Sequence, residues 1–245
     1  MTGRANGGPW LLVSDIDGTL TGDAEGLARL WAAAAAHRDR LRVALNSSRP
    51  AASVDATLAT TFPRDFAPDA VITAMGTEIR IAGVPDADWA ARFDGWPRDD
   101  IFALVQGMGF TPHAAEFQTR AKASFAVPGA ANRDRVLAAL AAAGLPVRAV
   151  HSGESDLDLI SPGAGKDAAT RFLAERLCIP ADRVVAAGDS GNDLTMFEVA
   201  ARAIAVGNAR PELTLAMPPA KSYRARAPYA AGVHEGLIAL GILPG

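Results

Sequence analysis

The sequence predicts an α/β fold: a doubly wound, mostly parallel sheet with a smaller α+β unit inserted into it. Three observations predict it. Short apolar runs followed by helical patterns occur three times along the chain. Each run ends in a polar cluster, as strands of a parallel sheet buried on both faces do. The stretch between Gly83 and about Ser155 then changes texture.

The first run, Trp10–Ser14 (WLLVS), reads as a buried strand, and the alanine- and leucine-rich Ala24–Ala36 as the helix after it. Arg42–Asn46 and Ala51–Thr60 repeat the unit. Trp89, Phe93, Trp96 and Pro97 fall in a loop-like stretch. A helix near Asp99–Met108, a strand at Ala121–Val127, a helix at Arg133–Ala143 and a strand near Val147–His151 follow it. That αβαβ order, without strong buried parallel strands, marks the insert. Turn signals at Gly83-Val84-Pro85 and Ser152-Gly153 bound it, giving a core of residues 1–82 and 156–245 and an inserted unit of 83–155. Asp167–Leu177 is a further helix, and Val184–Ala187 with Asn192–Ala200 is the third strand and helix pair.

Composition narrows the function. The 245 residues suffice for one large domain or a core with an insert. Twenty-four Lys and Arg against 27 Asp and Glu leave a formal charge of -3, so no positive field exists to hold a nucleic-acid backbone. The longest stretch without a charged residue, Ile101–Ala115, contains Gly, Pro, Gln and His and is shorter than the roughly 18 apolar residues of a spanning helix. No membrane partner is expected. Met1–Pro9 lacks the apolar centre of a signal peptide, and one cysteine, Cys178, permits no internal disulfide, so the expected setting is cytoplasmic. Cys178 itself reads as a small buried hydrophobe, because no neighbour would stabilise its thiolate.

The strongest chemical signal is Ser14-Asp15-Ile16-Asp17-Gly18-Thr19-Leu20, directly after the first strand. Alternation along the strand lets Asp15 and Asp17 project to the same side, and Gly18 permits a tight turn. In an open α/β sheet the carboxyl ends of strands are where ligands bind. Two acids so placed repel unless a cation joins them or one holds a proton, and oxygen-only ligands suit Mg²⁺. Alone, the tripeptide is also compatible with a turn bearing solvated carboxylates. A second cluster, Gly188-Asp189-Ser190-Gly191-Asn192-Asp193, lies at another strand end and opens another helix. Two acidic pairs at equivalent positions exceed what helix capping explains.

Ser47 sits where the second strand ends, so its hydroxyl and the following amides suit phosphoryl oxygens, although a Ser at a helix start is also an ordinary cap; Ser48 and Asn192 are the further phosphate-binding candidates. Lys166 opens a helix, where a cation is disfavoured by the helix dipole unless an anion is close. Gly163-Ala164-Gly165-Lys166 is not a nucleotide P-loop: Ile160 replaces its first glycine and Asp167 its Ser or Thr. His37, His113, His151 and His234 stand singly without ligand spacing, so no zinc site is expected. Each reads as a surface or polar-contact residue, although His113 and His151 fall in the insert and could touch a substrate.

With Asp15-Ile16-Asp17-Gly18-Thr19, Ser47, Lys166 and Gly188–Asp193 in this order, the chain resembles phosphatases of the haloacid dehalogenase superfamily. The likeness spans essentially the whole chain, and more narrowly it is similar to the sucrose-phosphate and mannosylfructose-phosphate phosphatases. Leu12–Asp15, Met75–Ile79, Lys122–Phe125, Asp156–Ile160 and Gly207–Leu213 carry that narrower likeness. The resemblance implies a Rossmann-like core, with the insert as a cap that closes over the site and reads the sugar. It implies that Asp15 forms an aspartyl phosphate while Asp17 serves as acid and then base. Mg²⁺ would be held by Asp15, Asp189 and the main-chain oxygen of Asp17, with Asp193 in support. Ser47 and Lys166 would hold phosphoryl oxygens, and Glu78 and Lys122 are the candidates for sugar hydroxyls. The chain departs from sucrose phosphatases at Gly18 (usually Asn), Ser47-Ser48 (Thr-Gly) and Gly165-Lys166-Asp167 (Asn-Lys-Gly), and Asn46-Ser47 is closer to the mannosylfructose-phosphate branch. None of these changes removes a catalytic group.

The expected activity is removal of phosphate from a phosphorylated disaccharide, sucrose 6-phosphate first, with association to a cognate sugar-phosphate synthase as an expected partnership. The alternatives are a phosphatase of mannosylfructose phosphate or of another sugar phosphate, then a phosphosugar mutase and a non-catalytic sugar-phosphate-binding partner of a glycosyltransferase.

Overall fold

A computed structural model describes residues 8–152 and 155–245. The leader reading of Met1–Pro9 and the Gly153 half of the second turn signal thus fall largely outside the described residues. Two sheets organise the rest.

The larger sheet has eight strands. In chain order they are β1 (Trp10–Ser14), β2 (Leu41–Asn46), β3 (Ala70–Thr73), β4 (Glu78–Ile81), β5 (Val84–Pro85), β10 (Val184–Gly188), β11 (Arg202–Ala205) and β12 (Ser222–Arg224). Their order in space is β12-β11-β10-β1-β2-β3-β4-β5, parallel from β12 to β3 and antiparallel over the last two pairings. Alternation sorts β1 onto two cores. Leu11 and Val13 face one, with Leu173 and Phe197; Leu12 faces the other, with Leu27, Trp31 and Leu237. The helices that cover these faces are α1 (Ala24–Ala36), α2 (Ala51–Thr61), α6 (Lys166–Arg176), α7 (Leu194–Val199), α8 (Pro211–Ala216) and α9 (Tyr229–Ala239).

The smaller sheet is antiparallel, in the order β6-β7-β9-β8, from β6 (Thr111–Pro112), β7 (Lys122–Ala126), β8 (Arg148–Ser152) and β9 (Asp156–Ile160). Phe125, Leu157 and Leu159 of this sheet pack with Ile101 and Val105 of α4 (Arg98–Gly107) and with Val136 and Leu140 of α5 (Ala130–Ala142). This third core is separate from the other two, as an inserted unit with its own hydrophobic centre requires.

Four expectations need correction. The boundary at residue 156 cuts through the smaller sheet: β9 pairs on both sides within it, so the chain returns to the larger sheet only after Ile160. Likewise β5 pairs with β4, so residues 84–85 belong to the larger sheet. The stretch around Trp89 is not all loop. Asp86 accepts a hydrogen bond from the Trp89 amide at 2.8 Å and caps α3 (Ala87–Ala91), and Trp89 is 1% exposed. Cys178 is exposed rather than buried. It occupies the left-handed position that ends α6, with φ +54, while the next amide, Ile179, donates back to Ala174 O at 2.8 Å. That closing turn leaves its side chain outside.

Candidate active site

The carboxyl ends of β1, β2 and β10 lie side by side in the sheet, and the loops leaving them carry the chemistry. The Asp15 amide continues the ladder by donating to Ala187 O at 3.0 Å. The turn after it is tight: the amides of Leu20 and Thr21 both donate to Ile16 O, and Gly18 adopts φ +76. A Cβ at Gly18 would stand 2.7 Å from an Asp189 carboxylate oxygen, so the glycine lets the second acidic loop approach this closely.

Lys166 joins these loops. Its ammonium donates to Asp15 Oδ1 and Asp193 Oδ1, both at 2.7 Å, and to Asn192 Oδ1 at 3.2 Å, while its side chain is 3% exposed. Asp193 is fully buried and its other oxygen accepts the amides of Asp189 and Ser190 at 3.1 and 3.2 Å. A reciprocal capping arrangement between Ser190 and Asp193 thus shapes the loop. Thr19 Oγ1 donates to Asp189 Oδ1 at 3.3 Å. Asp15, Asp189 and Asp193 each offer an oxygen within 4.8 Å of the others.

Three carboxylates against one ammonium leave an excess of negative charge in a buried volume. Burial pushes the Asp15 carboxyl up to about 7; Lys166 works against that shift, whereas Asp193 and Asp189 add to it. Burial first, and Asp193 second, also raise Asp189. For Lys166, burial favours the neutral amine, but Asp15 and Asp193 together outweigh it and hold the group protonated. An all-oxygen donor set with surplus negative charge is what a hard divalent cation such as Mg²⁺ fits. Such a cation would favour the ionised form of Asp15.

Asp17 stands apart from this cluster. Its carboxylate is 54% exposed and forms an ion pair with Arg49, Nε to Oδ2 2.7 Å. Arg49 is anchored through Nη1 to Thr57 at 2.8 Å and Ser53 at 3.3 Å on α2. Ser47 is fully buried, and its hydroxyl accepts the Arg49 amide at 3.1 Å; Ser48 beside it is half-buried. Asn46, also fully buried, donates from Nδ2 to Lys166 O at 3.0 Å. Neither Arg49 nor Asn46 is a candidate site residue from the sequence, although both flank the Ser47-Ser48 loop.

The two candidate sugar contacts lie away from Lys166. Lys122 is 1% exposed and paired with Asp158 across the β7–β9 ladder at 3.2 Å, where Ser124 also donates to Asp158 at 2.5 Å. Glu78 accepts from Thr73 Oγ1 at 3.0 Å and lines a cavity of about 310 Å³ with Thr77, Trp89, Phe93 and Arg120. A different cavity, of about 280 Å³, adjoins Lys166 and Asn192. It is bounded on the core side by Met75, Gly191 and Thr195, and on the other by the edge strand β8 from Arg148 to His151. Burial, with Arg133 nearby, lowers the pKa of His151. His113 lies 3.3 Å from the Asp156 carboxylate instead.

A loop of three consecutive left-handed residues, Ala74, Met75 and Gly76 at φ 51, 62 and 79, packs against the backbone just before Lys166. A Cβ on Gly76 would collide with the Gly165 carbonyl, so the backbone before Lys166 approaches as closely as glycine allows.

A family model described as sucrose-6F-phosphate phosphohydrolase matches residues 9–241. The chain is 34% identical over 250 residues to the mannosylfructose-phosphate phosphatase of Agrobacterium fabrum, covering 96% of this chain and 98% of that one. It is similar in structure to the sucrose-phosphatase of Synechocystis sp. PCC6803, solved in complex with sucrose and phosphate. The TM-score is 0.85 at 28% identity, over 96% of this chain and 99% of that one. A subclass IIB sugar phosphatase of the haloacid dehalogenase superfamily shares the fold, with a TM-score of 0.70 at 17% identity over 95% and 99% of the two chains.

Proposed function

From the membership of this chain in the sucrose-6F-phosphate phosphohydrolase family, which makes it a phosphatase, we propose that it removes phosphate from a phosphorylated disaccharide, sucrose 6-phosphate first, with Mg²⁺ and through an aspartyl phosphate. The observation that carries the mechanism is the convergence of Asp15, Lys166, Asn192, Asp189 and Asp193, from three distant loops, on one buried volume.

In this reading an oxygen of Asp15 bonds to phosphorus as the sugar oxygen departs, and Asp17 gives that oxygen a proton. Asp17 suits the task because its carboxylate is half exposed and outside the cation cluster, free to turn from Arg49 towards the leaving group. It then takes a proton from the water that attacks the aspartyl phosphate, which releases inorganic phosphate and restores Asp15. Lys166, Asn192, Ser47 and Ser48 hold the transferring oxygens. Asp15 and Asp189, with the main-chain oxygen of Asp17, would hold the cation, and Asp193 orients Asp189 and Lys166. Bound Mg²⁺ supplies neutralisation of the phosphoryl charge.

The smaller sheet and its helices act as the cap that recognises the sugar, and the cavity under β8 supports that assignment. Glu78 and Lys122 stay candidates for sugar contacts. No described helix is long and apolar enough to cross a membrane. A cytoplasmic setting and docking of a cognate synthase complete the proposal.

Phosphate release tests it. Asp15→Asn should abolish turnover and phosphoenzyme, and EDTA should silence the wild type until Mg²⁺ is restored. Substantial turnover by Asp15→Asn would remove the nucleophile. A panel of sucrose 6-phosphate, mannosylfructose phosphate, trehalose 6-phosphate and hexose monophosphates identifies the sugar, and one free sugar per phosphate released excludes a mutase.

A further inference from the structure

We infer that Arg148, the first residue of β8, is a positioning residue for Lys166, so that the grip on phosphate depends on how the smaller sheet seats against the larger one. This rests on the phosphatase reading and adds to it a residue outside the catalytic loops.

Lys166 is held at two levels. From the larger unit, Asn46 Nδ2 and Thr170 Oγ1 donate to its carbonyl oxygen at 3.0 and 2.7 Å. From the smaller unit, the Arg148 guanidinium reaches the residues that flank it: Nη1 donates to Ala164 O at 3.0 Å and to Asp167 Oδ1 at 2.6 Å. The two side chains are 29% and 17% exposed, so water screens this pair incompletely. Gly165, between the two contacts, has φ +130, and a Cβ there would collide with the guanidinium. The backbone that presents Lys166 is therefore shaped to admit Arg148.

The counter-weight on Asp167 is weaker. Arg171 approaches its other oxygen at 3.6 Å from a side chain that is 60% exposed. Without Arg148, Asp167 keeps only that loose partner among the described residues, and Ala164 O loses the donor described for it. The segment 164–167 then loses its anchor to the smaller unit, and with it one restraint on an ammonium that must meet Asp15, Asp193 and a phosphoryl oxygen together. Displacements of well under an ångström matter for such a group. Arg148 also borders the cavity next to Lys166, so a ligand that reseats β8 alters the same contact.

The test is a double-mutant cycle on Arg148→Gln and Asp167→Asn, read by the inhibition constant of inorganic phosphate and by kcat for p-nitrophenyl phosphate, a substrate without a sugar. Each single variant should weaken phosphate inhibition roughly five- to tenfold at a wild-type melting midpoint, and the double variant should be no worse than either single. If Arg148→Gln lowers the midpoint, Arg148→Lys, which keeps the stem and charge, carries the test and should fall between wild type and Asp167→Asn. Unchanged phosphate inhibition in the folded variants, or fully additive losses, would overturn the coupling. A wild type that releases no phosphate from any sugar phosphate would instead remove the reading beneath it.

Discussion

Replacing Lys166 by Met keeps the length of the side chain and removes its charge, which makes the buried cluster a direct test of the charge argument. The ammonium is 3% exposed and is shared by Asp15 and Asp193 at 2.7 Å each. Its loss leaves two buried carboxylates without their cation. Breaking a buried pair in this way costs about 3–5 kcal/mol. For a chain of this size that lowers the melting midpoint by roughly 6–20 °C. Measured by thermal denaturation in EDTA at pH 8, the loss should appear in full. Asp15 has a folded pKa above its unfolded value, so its charge destabilises the fold at high pH and the penalty lifts as protonation proceeds. The gap between Lys166→Met and wild type should accordingly narrow from pH 8 to pH 5. Mg²⁺ should stabilise the variant more than the wild type, because the cluster carries one more uncompensated negative charge. Phosphate release should fall by roughly 10²–10³-fold. A wild-type midpoint in EDTA at pH 8, or a gap that widens towards pH 5, would refute the reasoning.

Gly76→Ala should destabilise by roughly 1–3 kcal/mol and slow phosphate release, because φ +79 is strained for alanine and its Cβ strikes the Gly165 carbonyl. Wild-type midpoint and rate together would show that the loop has room. Glu235 on α9 accepts the Tyr223 hydroxyl at 2.8 Å, the Ala227 amide at 2.9 Å and the Arg226 amide at 3.0 Å. Burial opposes its charge, but the Ala227 and Arg226 amides, with the Tyr223 hydroxyl, prevail and lower its pKa. Its contribution is thus present above the unfolded pKa and lost as pH falls through the folded one. Glu235→Gln should cost roughly 1–2 kcal/mol at pH 7 by chemical denaturation, with the difference closing below about pH 4. A difference that persists unchanged at low pH would assign the effect to packing.

Much of the core was legible because its signals are local. Trp10–Ser14 and Ala24–Ala36 form the expected strand and helix residue for residue, since a continuous apolar run and an alanine-rich helical period are each decided within a few positions. The acidic loops were legible for the same reason: a carboxylate pair at a strand end is a short pattern. Strand partnership is not local. Whether Asp156–Ile160 joins the sheet before it or the one after it depends on which edge its hydrogen bonds meet, and only the pairing with β7 and β8 decides that. The fate of each charge was likewise a tertiary matter. Lys166 and Lys122 both follow short motifs in the sequence. One turns its ammonium to Asp15, 151 positions away, and the other is taken up by Asp158 inside the smaller sheet. A side chain's type and spacing determine what it can bind, whereas the partner that satisfies a buried charge is chosen by whatever the folded chain brings within about 3 Å.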